Sequence, residues 1–237
     1  MIPSFVITAL HETDRQHNLA LLKQQLPELV FADAIYPSRQ HIPFLAQLQH
    51  LSLQRTGWQL NKGEIGVLLS NRKIWRHIVQ QAPDDTTMYL ILESDSVIHD
   101  VQLLRSTYPD LKDRYDLFFW GAWSGHMKLE RSSKEKIASG YTMGRPHIKT
   151  VYGAYGYCIN RKAARYLLKS TARISHPVDQ YKYFIREDDL RLGGIVPELI
   201  THLVNNSTIG HPDMPVWRKK IWLKILDIKN TVICFFK

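Results

Sequence analysis

The sequence predicts an α/β fold with a mostly parallel central sheet flanked by helices. Three observations predict it. Short apolar, β-branched runs alternate with segments of helical period along the chain. The run Met88–Leu92 is continuously apolar and short, as befits a central strand covered on both faces. At 237 residues, 44% hydrophobic and 22% charged, the chain has the length and composition of one α/β domain with a small appendage.

The elements follow in order. Phe5–Leu10 is a first strand, and Asp14–Leu26, with Leu19, Leu22 and Leu26 at helical spacing, is the helix after it. Val30–Ile35 is a second strand. Pro37–Thr56, interrupted by Pro43, reads as a loop with a helical piece. Lys62–Gln81 is the clearest helix: Ile65, Leu68 and Leu69 share a face with Ile74, Ile78 and Val79, and Pro83 ends it. Met88–Leu92 and Asp116–Trp120 are buried strands, and Val151–Asn160 is strand-like with three aromatics. Arg161–Ser170 is helical, and Gly193–Val204 holds a strand near Ile195 and a further helix or strand. Two prolines at 212 and 215 mark a boundary that separates a catalytic domain, 1–210, from a tail, 211–237.

Composition excludes several classes. Cys158 and Cys234 form no metal-ligand spacing and sit among apolar neighbours, as two buried thiols in a reducing cytosol would. The opening MIPSFVITAL lacks a positive n-region and a cleavage site, and reads as a strand rather than a signal peptide. No run reaches the length of a membrane span.

The net charge is +9. From Trp217 onward, six basic residues (Arg218, Lys219, Lys220, Lys224, Lys229 and Lys237) face the single acid Asp227, so the tail carries +5 of it. Cations interleaved with Trp217, Trp222, Phe235, Phe236 and aliphatics describe a helix lying on an anionic membrane surface. No nucleic-acid fold signature accompanies the charge, so nucleic acid is not the expected partner.

Four constellations carry chemistry. Glu93-Ser94-Asp95 follows the central strand, where ligands of open α/β sheets bind. Two acids spaced i, i+2 can turn toward one hard cation, Mg²⁺ or Mn²⁺, which also takes substrate phosphates. Gly63 and Gly66 open a helix on which Ser70, Asn71 and Lys73 are placed to face a bound nucleotide; the alternative is that the two glycines only permit tight packing against the sheet. Tyr152-Gly153-Ala154-Tyr155-Gly156-Tyr157 alternates small and aromatic residues, suiting either a sugar platform or a core strand. Asp179, after His176-Pro177-Val178, is either a general base or a helix N-cap.

Together and in this order, GEIGVLLSNRKIW, LILESD, YGAYGYCINRKAARYLL, HPVD and VPELI resemble glycosyltransferase family 25. This is the bacterial lipooligosaccharide and lipopolysaccharide galactosyl- and glucosyltransferase group, related to the collagen galactosyltransferases. The opening FVITALHETDRQHNL resembles that family's first strand and basic turn, and the likeness runs from about Phe5 to Ile209. The resemblance implies a GT-A-like nucleotide-diphospho-sugar transferase fold, a UDP-galactose or UDP-glucose donor, and inversion at the anomeric carbon. It places a divalent metal and the diphosphate at Glu93 and Asp95; His211, which follows the last core segment, is the candidate third metal ligand. Donor contacts are expected from Thr8, Arg15, Glu64, Ser70, Asn71, Lys73, Gly153 and Tyr155. The expected base is Asp179, with Asp188 in the cluster Glu187-Asp188-Asp189 as its rival. The acceptor implied is a lipid A-linked core saccharide at the cytoplasmic face of the inner membrane.

Two positions depart from the family pattern: Ser94 stands where Glu-Asp-Asp is usual, and Asn71 where Ser-His is usual. These departures favour the alternative of a non-catalytic sugar-nucleotide or glycan-binding relative. A basic nucleic-acid-associated protein is the remaining rival.

Overall fold

The computed structural model describes residues 1–9, 11–122, 125–138, 140–203 and 227–237. A large central sheet is built from β1 (Ser4–Thr8), β2 (Leu29–Asp33), β3 (Tyr89–Glu93), β5 (Leu117–Phe119), β6 (Glu135–Ala138), β7 (Tyr141–Gly144), β8 (Gly156–Ile159) and β9 (Leu192–Val196). Its order is β2-β1-β3-β8-β5-β9-β7-β6. A two-stranded ribbon pairs β4 (Ser96–Ile98) with β10 (Ile200–His202). The helices are α1 (Gln16–Gln25), α2 (Leu45–Thr56), α3 (Lys62–Gln81), α4 (Val101–Arg114) and α5 (Arg161–Ser170). Residues 227–236 are helical as well.

The expectation of a mostly parallel sheet needs correction: the sheet is mixed. Strand pairs β1·β2, β1·β3 and β5·β9 are parallel. Strand pairs β3·β8, β5·β8, β6·β7 and β7·β9 are antiparallel. Strand β8 runs back between β3 and β5, and the β6–β7 hairpin adds the reversed β7 at one end. Six strands still point the same way, so β1, β3, β5 and β9 present their carboxyl ends at one rim, here the upper rim.

Local chemistry explains the best-defined element. Asn61 caps α3 by accepting from the Glu64 N–H, 2.8 Å, while the Glu64 side chain accepts from the Asn61 N–H, 2.8 Å. Both orphan donors are satisfied by this capping box. The helix leaves at Ala82 in an extended conformation, as a residue before proline prefers.

Two apolar layers sandwich the sheet. Ile65, Leu68, Ile74, Trp75 and Ile78 of α3, with Ala163, Ala164 and Leu167 of α5, cover Phe5, Ile91, Leu117, Phe119 and Tyr157. Leu19 and Leu22 of α1, with Leu104 and Leu111 of α4, cover Val6, Leu90, Leu92, Phe118 and Trp120. Alternate residues of β1 and β3 thus face opposite layers, as the pleat requires. Both cysteines are buried free thiols, and the Cys158 thiol accepts from Trp120 Nε1–H at 3.0 Å.

Candidate active site

Glu93 ends β3 at the upper rim, paired in register with Ile7 of β1. Three neighbours fix the turn that follows. The Asn18 side-chain amide of α1 donates to Ser94 O at 2.8 Å and to Ser96 O at 3.0 Å. The Ser96 hydroxyl accepts from the Glu93 N–H at 2.9 Å and donates to Tyr155 O. The Leu203 N–H donates to Asp95 O at 2.9 Å. The ribbon then sets His202 opposite Ser96.

A concentrated group of charges results. Burial pushes the Glu93 carboxyl up to about 8, and the neighbouring acids Asp95, Asp179 and Glu12 add to the effect against the opposing Arg15. Burial also raises Asp95, tempered by Arg15 and His202. Arg15 Nη2 lies 3.6 Å from Asp95 Oδ2, and its side chain is only 8% exposed. Glu12 is held by the Tyr36 hydroxyl and the Ala9 N–H, both of which donate to it. Asp95 Oδ1, Thr8 Oγ1 and His202 Nδ1 are buried without hydrogen-bond partners.

Asp179 reaches the same group from the loop after α5. Val178 and Tyr181, both buried, anchor that loop in the core. Gln180, not Asp179, stands before the 3₁₀ turn Tyr181–Tyr183, so the N-cap alternative is not realised. The Tyr155 ring lies 4.8 Å from that of His202. The Tyr155 hydroxyl donates to Glu198 at 2.6 Å, and Glu198 also accepts from the Ala122 N–H at 2.7 Å. Gly153 holds a left-handed φ of +92°, where a Cβ would meet the Tyr155 ring at 2.5 Å. That bend lets Tyr155 fold over the rim.

The structure therefore gathers Thr8, Arg15, Glu93, Asp95, Gly153, Tyr155 and Asp179 at one place. It puts other expected residues elsewhere. Asp188 is 96% exposed on Arg145 at 3.2 Å, near the amino end of β9 and so at the opposite rim from Glu93. Glu64 closes the α3 capping box. The Ser70 hydroxyl accepts from the Ile35 N–H at 2.8 Å and donates to Gly66 O, tying α3 to the chain after β2. Gly66 serves the same close packing, since a Cβ there would meet Ile35 O at 2.5 Å. Lys73 donates to Asp33 O from an exposed position.

Asn71 is fully buried, accepting from the Tyr157 hydroxyl at 2.6 Å, while that hydroxyl accepts from Trp75 Nε1–H at 2.8 Å. It sits behind the acids as part of the core and not on an open surface. His211 lies outside the described residues.

Sequence reasoning missed Glu12, Asn18, Glu198 and His202. The first two lie within the HETDRQHN stretch and were discoverable as polar residues following a strand. His202 arrives through the non-local β4·β10 pairing, which leaves no local signal, whereas Glu198, just before β10, lies in the VPELI run.

The donor set suits a hard cation shared with a ligand: two carboxylates, one with a buried unpartnered oxygen, in a cluster short of positive charge. Glu93 and Asp95 are not part of a three-residue ligand group among the described residues, so a cation held there would take water or ligand oxygens to complete its shell. A family model described as glycosyltransferase family 25 (LPS biosynthesis protein) matches residues 1–182. No curated protein matches the chain.

Proposed function

Since the chain belongs to glycosyltransferase family 25, we propose that it moves a hexose, galactose or glucose, from a UDP-sugar onto a lipooligosaccharide or lipopolysaccharide core saccharide, with inversion, on a GT-A-like fold. One observation carries this reading. The Glu93–Asp95 pair, Asp179 and Arg15 come from three separate stretches of the chain, fall within the matched residues, and converge at the carboxyl rim of the sheet. Packing alone does not favour such a gathering of half-buried acids.

Each residue has a part in this reaction. Arg15 sets a fixed positive charge beside Asp95, where a diphosphate would carry its own negative charge. Tyr155, braced by Glu198, offers a ring face and a bent backbone to the donor sugar. Asp179 takes the proton from the acceptor hydroxyl as that oxygen bonds to the anomeric carbon. The bond to the diphosphate oxygen breaks on the opposite face, and UDP leaves with the electron pair. A divalent metal, Mn²⁺ or Mg²⁺, held by Glu93 and Asp95, would offset the charge growing on the departing diphosphate. His202, adjacent to Asp95, supports the same end of the site.

The C-terminal segment fits a surface-bound enzyme. Among the described residues no helix is long and apolar enough to cross a membrane. Ile228, Val232, Phe235 and Phe236 are exposed on the helical segment 227–236, a stripe that can rest in an anionic leaflet on the cytoplasmic side.

The test is UDP release with UDP-galactose or UDP-glucose and a lipooligosaccharide acceptor, with and without Mn²⁺. Replacing Asp95→Asn should cut turnover by about 100-fold or more, the scale on which electrostatic stabilisation of a leaving group acts, with the circular dichroism spectrum unchanged. Near-normal turnover of the variant would remove Asp95 from the reaction. Donor binding without product in the parent protein would favour the non-catalytic relative.

A further inference from the structure

A second group of ligating side chains lies away from the acid cluster, below β7 and β9. Glu130, His147 and Glu187 each offer one ligand atom, and these atoms all fall within 4.8 Å of one another. Backbone bonds hold the three residues in place. The Glu130 N–H donates to Arg145 O at 2.8 Å, and the His147 N–H donates to Lys128 O at 2.9 Å, around an antiparallel bridge between Leu129 and Pro146. Arg145 Nη2 donates to Glu187 O at 2.8 Å, fixing the third residue against the first two.

The histidine is the telling member. It is 3% exposed, and neither ring nitrogen makes a hydrogen bond. Nδ1 nevertheless points at Glu187, 3.4 Å from Oε1. A buried polar group without a partner is costly, which a structure tolerates where the group has a ligand to meet. Burial lowers the basicity of this ring, keeping it in the neutral form that ligates metals. The place also accommodates positive charge: Lys237 Nζ sits 2.8 Å from Glu187 Oε2 and 3.3 Å from Glu130 Oε1. Arg145 Nε approaches Glu130 Oε2 from the side, at 3.8 Å.

We propose that Glu130, His147 and Glu187 form a binding site for a divalent transition metal of the zinc class, for which the Lys237 ammonium is the competing occupant. One imidazole nitrogen with two carboxylates is a borderline N/O donor set, suited to Zn²⁺ or Co²⁺ rather than to Mg²⁺ or Ca²⁺. Three protein ligands leave a fourth position open. The ammonium engages the same two carboxylates, so metal and lysine exclude each other. Metal binding thereby releases the Lys237 side chain from Glu130 and Glu187. The site is independent of the donor reaction and shares no residue with it.

The experiment is a Co²⁺ titration of the full chain carrying Glu93→Gln and Asp95→Asn, which silences the other cation site. Visible d–d absorption reports binding, and Zn²⁺ competition reports class. One equivalent of Co²⁺ should bind, and Zn²⁺ should displace it. His147→Gln and, separately, Glu187→Gln should each weaken binding by about tenfold or more. Lys237→Met should strengthen it by about tenfold, since the rival cation is gone. Glu187 is partly exposed, so its variant carries the test if the His147 variant fails to fold, circular dichroism being the check. Binding that survives both ligand substitutions, or no binding even with Lys237→Met, overturns the proposal. Equal affinity of the Lys237→Met variant and its parent overturns the competition.

Discussion

Replacing Asp116→Asn should destabilise the fold by about 2–3 kcal/mol and leave the chemistry at the upper rim alone. Asp116 lies just before β5, at the lower rim, and its side chain is 1% exposed. Five hydrogen bonds converge on its two oxygens: from Asn160 Nδ2 at 3.0 Å, Lys162 Nζ at 2.8 Å, Arg191 N at 3.0 Å, Arg191 Nε at 3.3 Å and Arg191 Nη2 at 2.9 Å. Those partners outweigh the cost of burial and hold the carboxyl down at about 2, below its ordinary 3.8.

At about 1.4 kcal/mol per pH unit, that difference contributes about 2–3 kcal/mol at neutral pH. Removing one partner of a buried pair can cost about 3–5 kcal/mol, but Lys162 and Arg191 are half exposed and remain hydrated, so the lower figure applies. The sign follows from the depressed value: the stabilisation is full well above pH 4 and is lost as pH falls through about 2. The penalty of the substitution should therefore shrink to roughly 1 kcal/mol at pH 3. Urea unfolding followed by circular dichroism at pH 7 and pH 3 measures both values. A loss below about 0.5 kcal/mol at pH 7 would be the size of an ordinary surface substitution and would refute the reasoning. A penalty unchanged between the two pH values would do the same.

Other consequences are as direct. Tyr157→Phe strands the Trp75 indole N–H and the Asn71 amide oxygen in the core, so it should lower stability by about 2 kcal/mol, read as a drop in melting temperature. Gly66→Ala drives a methyl to 2.5 Å from Ile35 O and should cost about 1–3 kcal/mol as an overpacked contact; an unchanged melting temperature would show that the segment after β2 yields freely. Ser substitution of Ile228, Val232 and Phe236 together should weaken co-sedimentation with phosphatidylserine vesicles several-fold without altering turnover on a soluble acceptor. Equal sedimentation would remove this stripe from the membrane surface.

Local signals made part of the fold legible and hid the rest. Helix α3 could be read to its ends because a helical stripe, an Asn-x-x-Glu box and a following proline all agree. Strand β3 was visible as an unbroken apolar run, and the acids behind it followed directly. Helix α4 carries no clear helical signal, because Pro109 interrupts its period and its buried face is short. The β6–β7 hairpin, partly exposed and containing charged residues, lacks the alternation that betrays a strand.

Strand direction is equally silent in local sequence. Nothing in Gly156–Ile159 says that it runs against both neighbours, and parallelism was overestimated for that reason. Of the site, Glu93, Asp95, Arg15 and Asp179 were legible as polar residues at strand ends and turns. Ser70 and Asn71 were misread because a polar residue on a helix looks the same whether it faces a ligand or braces a neighbouring segment. Only their burial decides.

The same functional group is used in two opposed ways on this sheet. Asp116 is surrounded by donors, whereas Glu93 is crowded by Asp95, Asp179 and Glu12 with one guanidinium against them. The upper rim is thus electrostatically frustrated in the bare protein, and whatever brings positive charge to it also tightens the whole molecule. Thermal denaturation becomes a readout of occupancy: a ligand pairing that relieves those acids should raise the melting point of this chain.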